Sequence, residues 1–167
     1  MIAAVLLDRD GTIVLDEPYN GDPARVHPSP GAKEALDELR ARGIGLAVVS
    51  NQSGIARGMI TRAQVESVNA RVLELLGPFD FVTYCPHGPD DGCSCRKPKP
   101  GMLLDAARAL AVRANACAMV GDKADDVEAA KAAGMHALRV APERGLKEAM
   151  PELRRLYGEG IIRAGGS

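Results

Sequence analysis

The sequence predicts an α/β fold, a parallel sheet covered by helices on both faces. Three observations predict it. Short apolar runs alternate with helical patterns, the runs are almost continuously apolar, and they end on polar residues. A strand with one wet face would alternate apolar and polar residues, so continuous runs place both faces indoors.

The strand-like runs are 2–7, 45–49, 79–84, 116–120 and 136–140. Between the first two lies "SPGAKEALDELRARG". Ser29 fits the N-cap, Pro30 the first helical position and Gly43 the stop. Ala32, Ala35, Leu36 and Leu39 follow the i, i+3, i+4, i+7 spacing of a core-facing stripe. Thr61 with Gln64 three residues on predicts a capping box, leading a helix that stops near Gly77. Further helices are expected over 101–110 and 123–133. A last, weaker one covers 146–157, where Pro151 interrupts the helix or begins its second half. The final "AGGS" is expected to be loose. With no repeat, linker or low-complexity tract, the 167 residues predict one domain, 1–167, on a Rossmann-like sheet.

Composition excludes some functions. A net charge of −1 gives no electrostatic reason for a nucleic-acid partner. Tryptophan is absent and aromatics make up 3%, which argues against base-stacking platforms. The N-terminus has no basic segment and no long apolar stretch, so neither a signal peptide nor a membrane span is expected. The expectation is a soluble cytoplasmic monomer.

The chemistry gathers where strands should end. "VLLDRDGT" at 5–12 closes an apolar run on two aspartates. Side chains at i and i+2 share a face of extended backbone, so Asp8 and Asp10 are expected close together. Two like charges there need a cation or a shared proton. The second run leads into Ser50, Asn51 and Gln52, and the fourth into Gly121, Asp122 and Lys123. Arg96 and Lys97 follow the third. In open α/β sheets ligands bind beyond the carboxyl ends of strands, so these segments should converge on one site.

Three of the four cysteines crowd into "CPHGPDDGCSC" at 85–95. Cys85, His87, Cys93 and Cys95 form two i, i+2 pairs around a turn. Three sulfurs and one nitrogen suit a closed, structural zinc site, with a disulfide or free thiols as the alternatives. Cys117 reads as a small core residue.

"DRDGT" at 8–12, "SNQSG" at 50–54, "CRKPKPGM" at 95–102 and "VGDKADD" at 120–126 resemble, in order, the four motifs of the haloacid dehalogenase superfamily of phosphatases. The resemblance runs from residue 5 to about residue 140. It implies that Asp8 is a nucleophile forming an aspartyl-phosphate and Asp10 a general acid and base. It implies Mg²⁺ held by Asp8, the carbonyl of Asp10 and Asp122. Ser50 Oγ, the amide of Asn51, Gln52, Arg96 and Lys97 would bind phosphate or substrate. Gly11 and Thr12 would let the chain turn beneath the phosphate, with Lys123 in support. Asp126 would orient Lys97 or a metal-bound water, a role for which Asp125 competes; either could simply favour a helix N-terminus. Ser50 and Asn51 could likewise be plain loop formers.

Only about twenty residues separate Asp10 from the first helix, too few for a cap domain. A capless core is expected, with loops 16–27, 54–60 and 85–98 around an open site, the last an insertion after the third strand. The zinc loop and "SNQSGIARGM" narrow the resemblance to a zinc-binding subfamily. Its implied substrate is a small phosphorylated sugar, a heptose 1,7-bisphosphate that loses its C7 phosphate, with Arg57 contacting sugar or second phosphate. The alternative is histidinol phosphate. A polynucleotide 3′-phosphatase and a non-catalytic metal-binding scaffold are the remaining readings.

Overall fold

A computed structural model describes residues 1–158; the expected loose "AGGS" lies outside the described residues. Five parallel strands form the sheet: β1 (Ala4–Leu7), β2 (Gly45–Asn51), β3 (Phe81–Cys85), β4 (Cys117–Gly121) and β5 (His136–Arg139). Their order is β3-β2-β1-β4-β5. The chain moves outward from β1 through β2 to β3, then returns to place β4 on the other side of β1. That reversal opens a crevice at the carboxyl ends of β1 and β4, where α/β folds bind ligands. The register aligns Leu7 with Val48 on one neighbour and Val120 on the other. Asp8 and Asp122 therefore leave the sheet side by side.

Helices α1 (Ala32–Ala41), α2 (Arg62–Leu76) and α5 (Met150–Tyr157) cover one face, while α3 (Gly101–Ala109) and α4 (Ala124–Ala133) cover the other. Along β1, Val5 and Leu7 enter the first core, and Ala4 and Leu6 the second. All four are fully buried. This is the alternation of a strand whose two faces are both packed. No domain intervenes between β1 and α1, where a short 3₁₀ turn at Pro23–Arg25 is the only regular element, as the capless expectation requires.

Local signals account for most helix ends. Thr61 Oγ1 accepts from Gln64 N at 3.1 Å and Gln64 Oε1 from Thr61 N at 2.9 Å, the expected capping box. At the end of α1, Gly43 N donates to Arg40 O and Ile44 N to Leu39 O, a Schellman closure. Pro151 stands in the first turn of α5, after a 3₁₀ segment at Gly145–Ala149, so it begins the second half rather than breaking it. The start of α1 differs from expectation. Gly31, not Ser29, is the N-cap, and no side chain caps the helix. Ser29 is held in extended chain by its N–H to Ile13 O at 2.9 Å, and its buried Oγ has no hydrogen-bond partner. Tertiary packing against the segment after Asp10 overrides its capping preference.

The C-terminal segment also pins that region. Leu146 N donates to Thr12 O at 2.8 Å. Gly145 has φ +63°, and a Cβ there would stand 2.5 Å from Thr12 O and 2.9 Å from Ser29 Cβ. Glycine is required by both conformation and space. Gly145→Ala is therefore expected to lower the urea midpoint, at a cost above about 1 kcal/mol. An unchanged midpoint would contradict this packing.

Candidate active site and metal centres

The core of the site is a buried lysine among carboxylates. Lys97 is 2% exposed. Its Nζ donates to Asp8 Oδ1 at 3.0 Å, Asp126 Oδ1 at 2.6 Å and Val49 O at 2.9 Å. All three ammonium protons thus have acceptors. Burial opposes the charge on Lys97, but the carboxylates of Asp8 and Asp126 outweigh it and raise its pKa. The lysine backbone is fixed too: Lys97 N donates to Asn51 Oδ1 at 3.1 Å and Asn51 Nδ2 to Lys97 O at 3.0 Å. The end of β2 thereby holds the loop that delivers the cation.

Asp8, Asp122 and Asp126 each offer an oxygen within 4.8 Å of the others. Asp122 Oδ1 is buried with no hydrogen-bond partner. Burial first, then the charge of Asp8, pushes its carboxyl up to about 7. Close approach here depends on Gly11, whose φ is +79° and whose hypothetical Cβ would stand 2.4 Å from Asp122 Oδ2. A larger residue would displace Asp122. Three carboxylates facing one ammonium leave negative charge in excess, and a hard divalent cation with oxygen ligands fits that donor set.

Asp10 follows a bend in the chain. β1 ends at Leu7 and the chain bends at Arg9, so the i, i+2 face is not continued. Asp8 and Asp10 line one cavity of about 110 Å³, but the carboxylate of Asp10 stands outside the group of three. It accepts instead from Arg9 and from Gln52 Nε2 at 3.2 Å.

The same cavity is lined by Asn51, Ser53, Arg96, Lys97, Lys123, Asp125 and Asp126. Asp126 is both cap and partner: its Oδ2 accepts from Lys123 N at 3.0 Å while Oδ1 holds Lys97. Asp125 is half-buried and faces the cavity without that contact. Ser50 is buried behind, its Oγ accepting from Gln52 Nε2 at 3.3 Å, and Thr12 Oγ1 is buried without a partner. A second cavity of about 220 Å³ adjoins the first, sharing Asp10, Asn51, Ser53 and Lys123 and adding Asp16, Glu17 and Tyr19 from loop 16–27. Arg57 stands outside both cavities and reaches across to that loop, Nη1 donating to Tyr19 Oη at 2.9 Å. Sequence reasoning missed Ser53, although it falls within the quoted "SNQSG", and Arg9, whose burial between two aspartates no pattern announced.

The cysteine loop closes as a cluster. Cys85, His87, Cys93 and Cys95 bring one ligand atom each within 4.8 Å of the rest. All four cysteines of the chain are free, so no disulfide competes. A tetrahedral zinc with Zn–S near 2.3 Å has ligand–ligand edges of about 3.8 Å. Cys85 Sγ to Cys93 Sγ is 3.7 Å, and His87 Nδ1 lies 3.4 Å from both Cys85 Sγ and Cys95 Sγ; Cys85 to Cys95 is tighter at 2.8 Å. Burial pushes the Cys85 thiol up to about 12. It opposes ionisation of Cys93 as well, but the Arg96 N–H and neighbouring thiols bring that thiol down to about 6. Arg96 Nη1 donates to His87 O at 3.2 Å, tying the cluster to a residue of the cavity wall. Cys117 is a buried core residue, as expected.

Comparisons with known proteins place the chain in a family. Residues 19–134 match the haloacid dehalogenase-like hydrolase family. The chain is 42% identical over 148 residues to the D-glycero-beta-D-manno-heptose-1,7-bisphosphate 7-phosphatase of Pseudomonas aeruginosa, covering 86% of this chain and 83% of that protein. It is 39% identical over 163 residues to the enzyme of the same name from Pseudomonas putida, covering 93% of each. Among solved structures it resembles the D,D-heptose 1,7-bisphosphate phosphatase of B. bronchiseptica complexed with magnesium and phosphate, with TM-score 0.78 and 33% identity over 91% of this chain and 87% of that chain. The chain belongs to the haloacid dehalogenase-like hydrolase family.

The Asp122 carboxyl yields a pH prediction. With Mg²⁺ omitted, the folded state retains a proton on Asp122 between about pH 4 and pH 7 that the unfolded chain has lost. Stability contributed by this group therefore falls as pH rises through that window. Asp122→Asn should flatten the fall, read as urea midpoints at pH 5 and pH 8. Parallel profiles for the two proteins would contradict it.

Proposed function

We propose that this chain is a Mg²⁺-dependent phosphomonoesterase acting through an aspartyl-phosphate on Asp8, and that it removes the C7 phosphate of D-glycero-D-manno-heptose 1,7-bisphosphate. The observation that carries the chemistry is the fixed position of Asp8, one oxygen held by Lys97 beside Asp122 at the floor of a polar cavity. The relatives named for heptose bisphosphate carry the substrate.

An oxygen of Asp8 attacks phosphorus, and the bond from phosphorus to the ester oxygen breaks. Asp10 gives its proton to that leaving oxygen. Asp10 then takes a proton from water as the water attacks phosphorus, which frees inorganic phosphate and restores the Asp8 carboxylate. Asn51, Ser53, Arg96 and Lys123 line the space for phosphate oxygens, and Lys97 keeps a positive charge against them. Ser50 supports Gln52 and, through it, Asp10. Asp8, Asp122 and the carbonyl of Asp10 would hold Mg²⁺, which when bound neutralises negative charge between carboxylate and phosphate.

The cluster of Cys85, His87, Cys93 and Cys95 is proposed as a structural zinc site within one phosphatase domain, 1–167, its loop 85–98 inserted after β3. Zinc would fix Arg96 through the His87 carbonyl. Thiolate ligation suits a reducing compartment, in keeping with a cytoplasmic setting. No helix among the described residues is long and apolar enough to cross a membrane.

Purified protein with Mg²⁺ is expected to release phosphate from the heptose bisphosphate with kcat/KM at least about tenfold above that for histidinol phosphate. The reverse order would overturn the substrate assignment. Asp8→Asn should abolish turnover at unchanged melting temperature; retained turnover would overturn the nucleophile. Metal analysis should find about one zinc per chain, and Cys93→Ser should lower Tm. A zinc-free protein with the same Tm would remove the structural role.

A further inference from the structure

Arg9 is the residue for which the proposed reaction finds no use, yet its guanidinium is 2% exposed. Burying a charged group is costly unless all its donors are satisfied. Its Nε and Nη2 donate to Asp10 Oδ1 and Oδ2, both at 3.1 Å, a bidentate fork that fixes the plane of the carboxylate. Its Nη1 donates to Asn69 Oδ1 at 2.9 Å, on α2 and sixty positions away in sequence. Gln52 Nε2, donating to Oδ2, is the third donor to the Asp10 carboxylate.

Asn69 sits oddly for a helix residue. The buried face of α2 is Val65, Val68, Val72 and Leu76, and asparagine inside a helix is unfavourable by propensity. Asn69 lies half-buried at the edge of that face, its Oδ1 engaged by Arg9. A guanidinium fork without that anchor could turn about its long side chain, and the Asp10 carboxylate would turn with it.

We infer that Asn69, acting through Arg9, is a positioning residue for Asp10: α2 sets the orientation from which Asp10 delivers its proton to the leaving oxygen. The inference rests on the proposed acid role of Asp10. Orientation matters because proton transfer needs donor and acceptor within hydrogen-bond reach and aligned. Arg9 lines the second cavity together with Asp10, and neither Arg9 nor Asn69 lines the first, where the phosphate is proposed to bind. The contribution of α2 therefore falls on departure of the ester oxygen and not on phosphate binding.

The test varies the leaving group. Substitution of Arg9 would empty a buried space beside Asp10 and could unfold the protein, so Asn69 is changed instead. Asn69→Leu removes the acceptor, Asn69→Asp keeps one, and Asp10→Asn removes the acid. Each is assayed for kcat and KM on phosphate esters running from nitrophenol, which leaves without protonation, to a simple alkanol, which does not. Asn69→Leu is expected to lower kcat about tenfold more on the alkyl ester than on the nitrophenyl ester, with KM little changed, and Asn69→Asp to recover most of the difference. A merely structural role would lower both esters equally. If Asp10→Asn is selective against poor leaving groups and Asn69→Leu is not, the positioning role is overturned and the acid role stands. If Asp10→Asn is itself unselective, the acid role falls and this inference falls with it.

Discussion

The structure turns on one buried contact, the ammonium of Lys97 between the carboxylates of Asp8 and Asp126. Removing one partner from a buried ion pair costs roughly 3–5 kcal/mol, because a charge is left without compensation. Lys97 allows a carboxylate just beyond β1 and one from the first turn of α4 to face one another inside the fold. Asp126 answers two needs at once, capping α4 through Lys123 N and fixing the lysine. Asn51 secures the lysine backbone. The ends of β1, β2 and β4 and the loop after β3 are bound into one polar knot at the point where the strand order reverses.

Two further constraints reach that knot from outside. The thiol–imidazole cluster holds the loop that carries Arg96 and Lys97, and the Arg96–His87 contact is its direct link to the cavity wall. On the opposite side, Gly145 and Leu146 press against Thr12, two residues beyond Asp10. A capless core leaves its cavity open, so precision has to come from such supports beneath the site and not from a lid above it.

Much of this was legible in sequence. The five strands lie within a few residues of the apolar runs; in β1, β2 and β4 burial on both faces leaves an almost unbroken hydrophobic signal, while the edge strands β3 and β5 are less buried. The Thr61–Gln64 box was legible because its partners are three residues apart, and the cysteine–histidine cluster because three cysteines and a histidine crowd into eleven positions. What escaped depends on distant chain. Ser29 has the chemistry of a cap but is claimed by Ile13 and by packing against Gly145. Asp10 shares a cavity with Asp8, but its contact with Gln52 across the end of β2 has no local signature. The Arg9–Asn69 contact spans sixty residues, and no local pattern encodes such a pair. Asp125 and Asp126 could not be told apart without knowing which turns inward on the first turn of α4.

The account requires that the phosphoryl group visit Asp8 before it reaches water, two displacements at phosphorus in place of one. The most direct measurement is the stereochemical course of hydrolysis of a phosphate ester made chiral at phosphorus with oxygen isotopes and sulfur. Net retention of configuration is predicted, as two inversions through the carboxylate require. Net inversion would mean that water attacks the substrate directly, and would contradict Asp8 as the group that Lys97 holds in place for attack.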